Sequence, residues 1–195
     1  KDRLAEAMPE TTTGALWHCN LFPKYAASWQ FYYRTRDKWE AAKARGDDKS
    51  VGYTMEQYVD DYLEICDPQV LSYDYYPLSK AFPNLSTGYF ENLSINRRKA
   101  QNVHIPFWVY IATCKYNNNV RIPACEADVL WQVNTALTYG AKGIQYFTGV
   151  VAQSAPEGQG EQFSGAMFDL AGNKTEVYDY VKTANVQLAA ADEVL

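Results

Sequence analysis

The chain has 195 residues, 47% apolar and 21% charged, with a net charge of −5, the balance of an ordinary globular domain able to bury one sizeable core. Its acidity and the lack of any Lys/Arg cluster argue against a nucleic-acid surface, which needs grouped cations to face phosphates. Apolar runs such as Ile105 to Ala112 fall far short of the roughly 20 residues that span a bilayer, so a soluble chain is expected, with no membrane partner.

In chain order, Gly14 to Phe22 is a short apolar run ending at Pro23 and reads as a buried strand. A polar, helix-like stretch follows from Ser28 to about Arg45 and breaks at Gly46-Asp47-Asp48. Thr54-Met55-Glu56-Gln57 has the form of a capping box. Met55, Tyr58, Val59, Tyr62, Leu63 and Cys66 then recur at three- and four-residue steps, which predicts a helix stopped by Asp67-Pro68. Gln69 to Tyr75 returns as a strand. The cycle repeats with a helix over Tyr89 to Asn102 and a strand over Ile105 to Thr113. It repeats again with a helix over Glu126 to Tyr139, the turn Gly140-Ala141-Lys142 and a strand over Gly143 to Val150. A helix from about Thr175 to Ala190 comes last.

Apolar strands alternating with amphipathic helices predict a parallel sheet covered by helices, in an α/β fold. Two architectures fit: a small doubly wound sheet, or part of a (β/α)8 barrel. Four strands do not close a barrel, which needs about eight at the usual tilt. The turn after the first strand, Asn20-Leu21-Phe22-Pro23-Lys24, has no glycine fingerprint for a nucleotide. Polar and aromatic residues gather instead at the carboxyl ends of the other strands, the arrangement that barrel enzymes use for their sites.

Aromatic residues make up 15% of the chain, with sixteen Tyr and five Trp, and suit a partly polar ligand such as a sugar as well as they suit a core. Cys114 and Cys125 flank a polar loop and are placed to staple it, whereas Cys19 and Cys66 read as small core residues. No spacing of Cys or His suggests a metal, and no cofactor is expected.

PQVLSYDYYPL, ENLSINRRKAQNVHIPFWVYI and WQVNTALTYGAKGIQYFTG resemble, in that order, the sixth strand, the following helix and seventh strand, and the last helix and eighth strand of the barrel of clan A glycoside hydrolases, the β-galactosidase-like members in particular. GALWHCNLFP is similar to the fifth strand, and FDLAGNKTEVYDYVKTANVQL to the closing passage of those enzymes. The resemblance runs from about Gly14 onward. It implies one (β/α) barrel-type domain over residues 1–195, formed of strands five to eight and incomplete at its N-terminal side. The missing half, or a second copy of the chain, would then be a partner. The chain starts at Lys1 without a methionine, so a removed leader or upstream part is expected, which favours a secreted or periplasmic protein.

The implied function is hydrolysis of a β-linked saccharide. The pattern departs from the family where its nucleophilic glutamate would end strand seven, since Tyr110-Ile111-Ala112-Thr113-Cys114 holds no carboxylate there. The strand-four acid of the family lies outside the resemblance, and Gly149-Val150 stand where a tryptophan is often found. Glycoside hydrolysis needs two carboxyl groups with different pKa values. Asp74 at a strand end and Glu126 at a helix start are the catalytic candidates. Glu157 and Glu161 lie in a Gly-, Ser- and Gln-rich rim. For each acid a plain structural role is open as well, as a loop cap for Asp74 and a helix N-terminal charge for Glu126. His18, Asn20, Gln145, Tyr76 and Tyr146 are the saccharide-binding candidates, the two tyrosines as stacking surfaces. Trp108 and Tyr110 share the other parity of their strand and read as packing. A non-catalytic carbohydrate-binding barrel and a doubly wound domain binding a small ligand are the alternatives.

Overall fold

A computed structural model of the chain describes residues 20–21, 41, 44–46, 55–78, 86–116, 123, 125–151, 154 and 162–191. Two compact units divide it, one of residues 1–74 and 91–107 and the other of 75–90 and 108–195. Strands alternate with helices in both, and the fold is mixed α/β with parallel strand pairs.

In the first unit, β1 (Asn20–Leu21) pairs in parallel with β2 (Leu71–Asp74), Asn20 opposite Ser72 and Leu21 opposite Tyr73. All four residues of β2 are buried, as expected for a parallel strand covered on both faces. Its first amide, Leu71 N–H, donates to the Pro106 carbonyl at 3.0 Å. Helix α1 (Met55–Cys66) turns Met55, Val59 and Tyr62 inward at steps of four and three. Helix α2 (Ser86–Asn102) is bonded to it by Arg98 on Glu56 at 2.7 Å and Lys99 on Asp60 at 2.6 Å, pairs that fix orientation and add little stability in water. Val59, Val70, Leu71, Tyr73, Leu93 and Ala100 form the core here.

In the second unit, β3 (Phe107–Ala112) and β5 (Gly143–Phe147) run parallel, from Trp108 opposite Gly143 to Ala112 opposite Phe147. Gly143 has no alternative at its position: a Cβ there would stand 2.5 Å from the Trp108 ring. β4 (Lys115–Tyr116) pairs antiparallel with β6 (Phe163–Ser164). Helices α3 (Glu126–Thr138) and α4 (Glu176–Ala191) pack on each other, α3 burying Val129, Val133 and Ala136 and α4 burying Val177, Val181 and Ala184. Tyr89 at the start of α2 is fully buried between Tyr75 and Trp131, at ring distances of 5.8 and 5.6 Å.

Three helices stop in the same way. Asp67, His104 and Gly140 each take a positive φ just past α1, α2 and α3, at 43°, 58° and 83°. After α3, Gly140 N–H bonds the Leu137 carbonyl and Ala141 N–H the Ala136 carbonyl, a Schellman closure. His104 on Gln101 and Ile105 on Ala100 repeat it after α2, with histidine in the place glycine fills more easily.

The expected strand over Gln69 to Tyr75, the helix over Glu126 to Tyr139 and the Gly140 stop agree with the structure to within a few residues. The staple does not. Cys114 and Cys125 are free thiols, the first buried and the second exposed. Cys66 continues the stripe of Met55, Val59 and Tyr62 at the next four-residue step, but it stands at the last position of α1 and is exposed, so it is not a core residue. Cys19 lies outside the described residues.

Candidate functional site

The carboxyl ends of β3 and β5 meet through backbone and hydroxyl bonds. Thr113 N–H extends the ladder to the Phe147 carbonyl at 2.8 Å, and Thr113 Oγ1 donates to the Thr148 carbonyl at 3.1 Å. The Phe147–Thr148 peptide is cis. Cys114 bonds Thr148 as well, but burial dominates and pushes its thiol up to about 11, so it is a neutral group at physiological pH and a poor nucleophile.

Behind this edge lies Gln132, fully buried on α3. Its Oε1 accepts from Ala112 N–H at 3.0 Å, while Nε2 donates to the Ala112 carbonyl at 3.4 Å and the Asp128 carbonyl at 3.1 Å. A side-chain amide offers the same donor and acceptor as a backbone peptide. Gln132 therefore meets both backbone groups of Ala112 as a strand neighbour would, and it fixes the segment that leads to Thr113 and Cys114.

In front of the edge stand three half-buried rings. Phe147 lies 5.7 Å from Tyr76 at 31° and 5.8 Å from Phe163 at 56°, centroid to centroid. Tyr76 comes from the YDYYP stretch and Phe147 from the end of β5. Phe163 is supplied by β6, where its backbone N–H and carbonyl both bond Ser154 Oγ, at 2.8 and 3.1 Å. The group is a shallow aromatic surface made of rings from three separate segments.

The candidates named from sequence fall in different places. Tyr76 belongs to this aromatic group. Gln145 shares the strand parity of Phe147 and is half-buried. Tyr146 has the opposite parity: its hydroxyl donates to Asn185 Oδ1 on α4 at 2.8 Å, and burial raises its pKa to about 12. It packs on the helical side, away from Phe147. Asp74 ends β2 in the other unit, 8% exposed. Glu126 opens α3 half-buried. Its charge reaches Tyr180 of α4, whose hydroxyl is raised first by burial, then by its bond to Glu176, with Glu126 a smaller contributor. Asn20 is placed in β1 by its backbone, and His18, Glu157 and Glu161 lie outside the described residues. Trp108 and Tyr110 are half-buried on one face of β3, and Trp108 covers Gly143.

Phe163, Gln132 and the Thr113–Thr148 bond escaped the sequence reading. Phe163 follows a polar loop and carries no periodic signal, whereas Phe147 stands two residues from Gln145 and was within reach of the strand alternation. Among the described residues no group of three or more His, Cys, Asp or Glu side chains is placed to hold a metal ion. No helix among them is long and apolar enough to cross a membrane. Neither a protein-family model nor any curated protein matches the chain.

Proposed function

We propose that the chain binds a saccharide at the carboxyl ends of β3 and β5, with Tyr76, Phe147 and Phe163 as the surface on which a sugar ring lies. The observation that carries this reading is the half-exposed trio of rings at a strand end, two of them in mutual contact with Phe147 at under 6 Å. Sugar rings present apolar C–H faces to aromatic rings and hydroxyls to polar neighbours, a role open to the half-buried Gln145 on the same strand parity as Phe147.

The test is a titration of the full chain with β-linked galactosides. Tyr76→Ala and Phe147→Ala are each expected to weaken binding about tenfold, a loss of about 1.4 kcal/mol. Undiminished affinity in both variants would remove the platform.

A second reading keeps the β-galactosidase-like resemblance in full. The chain then supplies strands five to eight of a (β/α)8 hydrolase barrel, with the missing half or a second copy as partner, and Asp74 and Glu126 are the carboxyls that this reading offers as catalytic candidates. The alternation of parallel strands and helices and the seat of Asp74 at the end of a buried strand favour it. Turnover of aryl β-galactosides by the wild-type chain, lost in Asp74→Asn and Glu126→Gln, distinguishes hydrolase from binder. Binding without turnover leaves the binder.

A further inference from the structure

Phe163 is at once the third ring of the trio and a wall of an open depression of about 510 Å³, lined also by Val151, Ser164, Asp169, Leu170 and Thr175. That volume lies within the range of small-molecule sites and exceeds what one pyranose ring fills. Its lining is mostly apolar, with Ser164, Asp169 and Thr175 as the polar groups, a combination that suits a ligand with both C–H faces and hydroxyls.

We propose that this depression is a second saccharide subsite, continuous with the trio through Phe163, and that the ligand is an oligosaccharide of several units instead of a single sugar. The inference rests on the saccharide reading given above.

Asp169 is the polar anchor of the subsite. Its Oδ1 accepts from Ala171 N–H at 2.9 Å and Asn173 N–H at 2.8 Å, and its Oδ2 accepts from Asn173 Nδ2 at 3.0 Å. These bonds hold the carboxylate in place at the edge of the depression, where an acceptor-only group suits a sugar hydroxyl. The bonds from Asn173, its side chain first, hold the Asp169 carboxyl below the usual range, and the acceptor stays charged. Thr175 is fixed by its hydroxyl bond to the Ala166 carbonyl at 2.5 Å, which leaves its oxygen as a further acceptor. Leu170, 80% exposed, forms an apolar rim of the depression.

The experiment measures affinity of the full chain for β-linked galacto-oligosaccharides of one to four units. Affinity is expected to rise about tenfold or more with length, as a second subsite engages. Ala171→Trp, at an exposed lining position, fills the depression and is expected to cancel that gain while monosaccharide affinity stays as it was. Leu170→Ser lowers the rim without touching a buried position and is expected to cut the gain severalfold. Equal affinity at every length, or a gain that survives both variants, overturns the second subsite and leaves the trio standing. Failure of every length, the monosaccharide included, overturns the saccharide reading itself and the subsite with it.

Discussion

Replacing Gln132 by leucine keeps nearly the same volume on α3 and removes the amide that completes β3. Ala112, 1% exposed, then has an orphaned N–H where a 3.0 Å bond stood, and its carbonyl loses a longer one of 3.4 Å. An orphaned buried donor costs about 1–3 kcal/mol, and the long bond adds about 1 kcal/mol or less. The Asp128 carbonyl already accepts the helical bond and adds little. The total is about 1–4 kcal/mol, and at roughly 2–4 °C per kcal/mol for a domain of this size the midpoint should fall by about 2–16 °C. Calorimetry and urea titration of the two chains measure it. Gln132→Glu supplies an internal check. A buried glutamate has a raised pKa, so its protonated form, which both donates and accepts, is favoured in the folded chain. Stability should therefore recover at acid pH and be lost as pH rises above the free carboxyl value of about 4.3. A Gln132→Leu midpoint within 1 °C of the parent, or no pH dependence in Gln132→Glu, would refute the role given to this amide.

The other expectations concern single groups. His104→Gly should stabilise the chain by up to about 1 kcal/mol in urea titration, because glycine takes the φ of 58° without the side-chain clash, less its greater unfolded entropy. Tyr146, raised from 10.0 to about 12 by burial, favours the folded state while neutral; that contribution is complete below pH 10 and is lost as pH climbs toward 12. Tyrosinate absorbance compared with that of Tyr146→Phe tests it, and a Tyr146 midpoint near 10 would contradict the burial. Thiol labelling followed by peptide mapping should mark Cys66 and Cys125 in the native chain and Cys114 only after unfolding.

Much of the framework could be read from residue order. The spacing of Met55, Val59 and Tyr62 and the glycine at 140 carry signals that act within one or two turns, so α1, α3 and their stops were visible beforehand. The strand LSYD was visible because a parallel strand is apolar or small throughout. The candidate site was legible only in part. Tyr76 announced itself by the aromatic density around it, but Tyr146 looked equally suited to stacking. Strand alternation alone does not say which parity meets the helices; the bond from Tyr146 to Asn185, 39 positions away, settles that. Gln132 was hidden because a polar residue amid Val129, Val133 and Ala136 carries no local mark of the peptide it completes. The Cys114–Cys125 pair misled because closeness along the chain was taken for closeness in space. Burial of the first and exposure of the second decide against it.

The two faces of β5 have a consequence for change over generations. Residues 144 and 146 are tied to the scaffold by the Tyr146 hydroxyl, whereas 145 and 147 look the other way. If the surface binds a ligand as proposed, a substitution at one of the latter changes that contact without loosening the helix docked behind it. Contact and architecture thus occupy interleaved letters of the same five-residue word, and each is open to change by separate mutations.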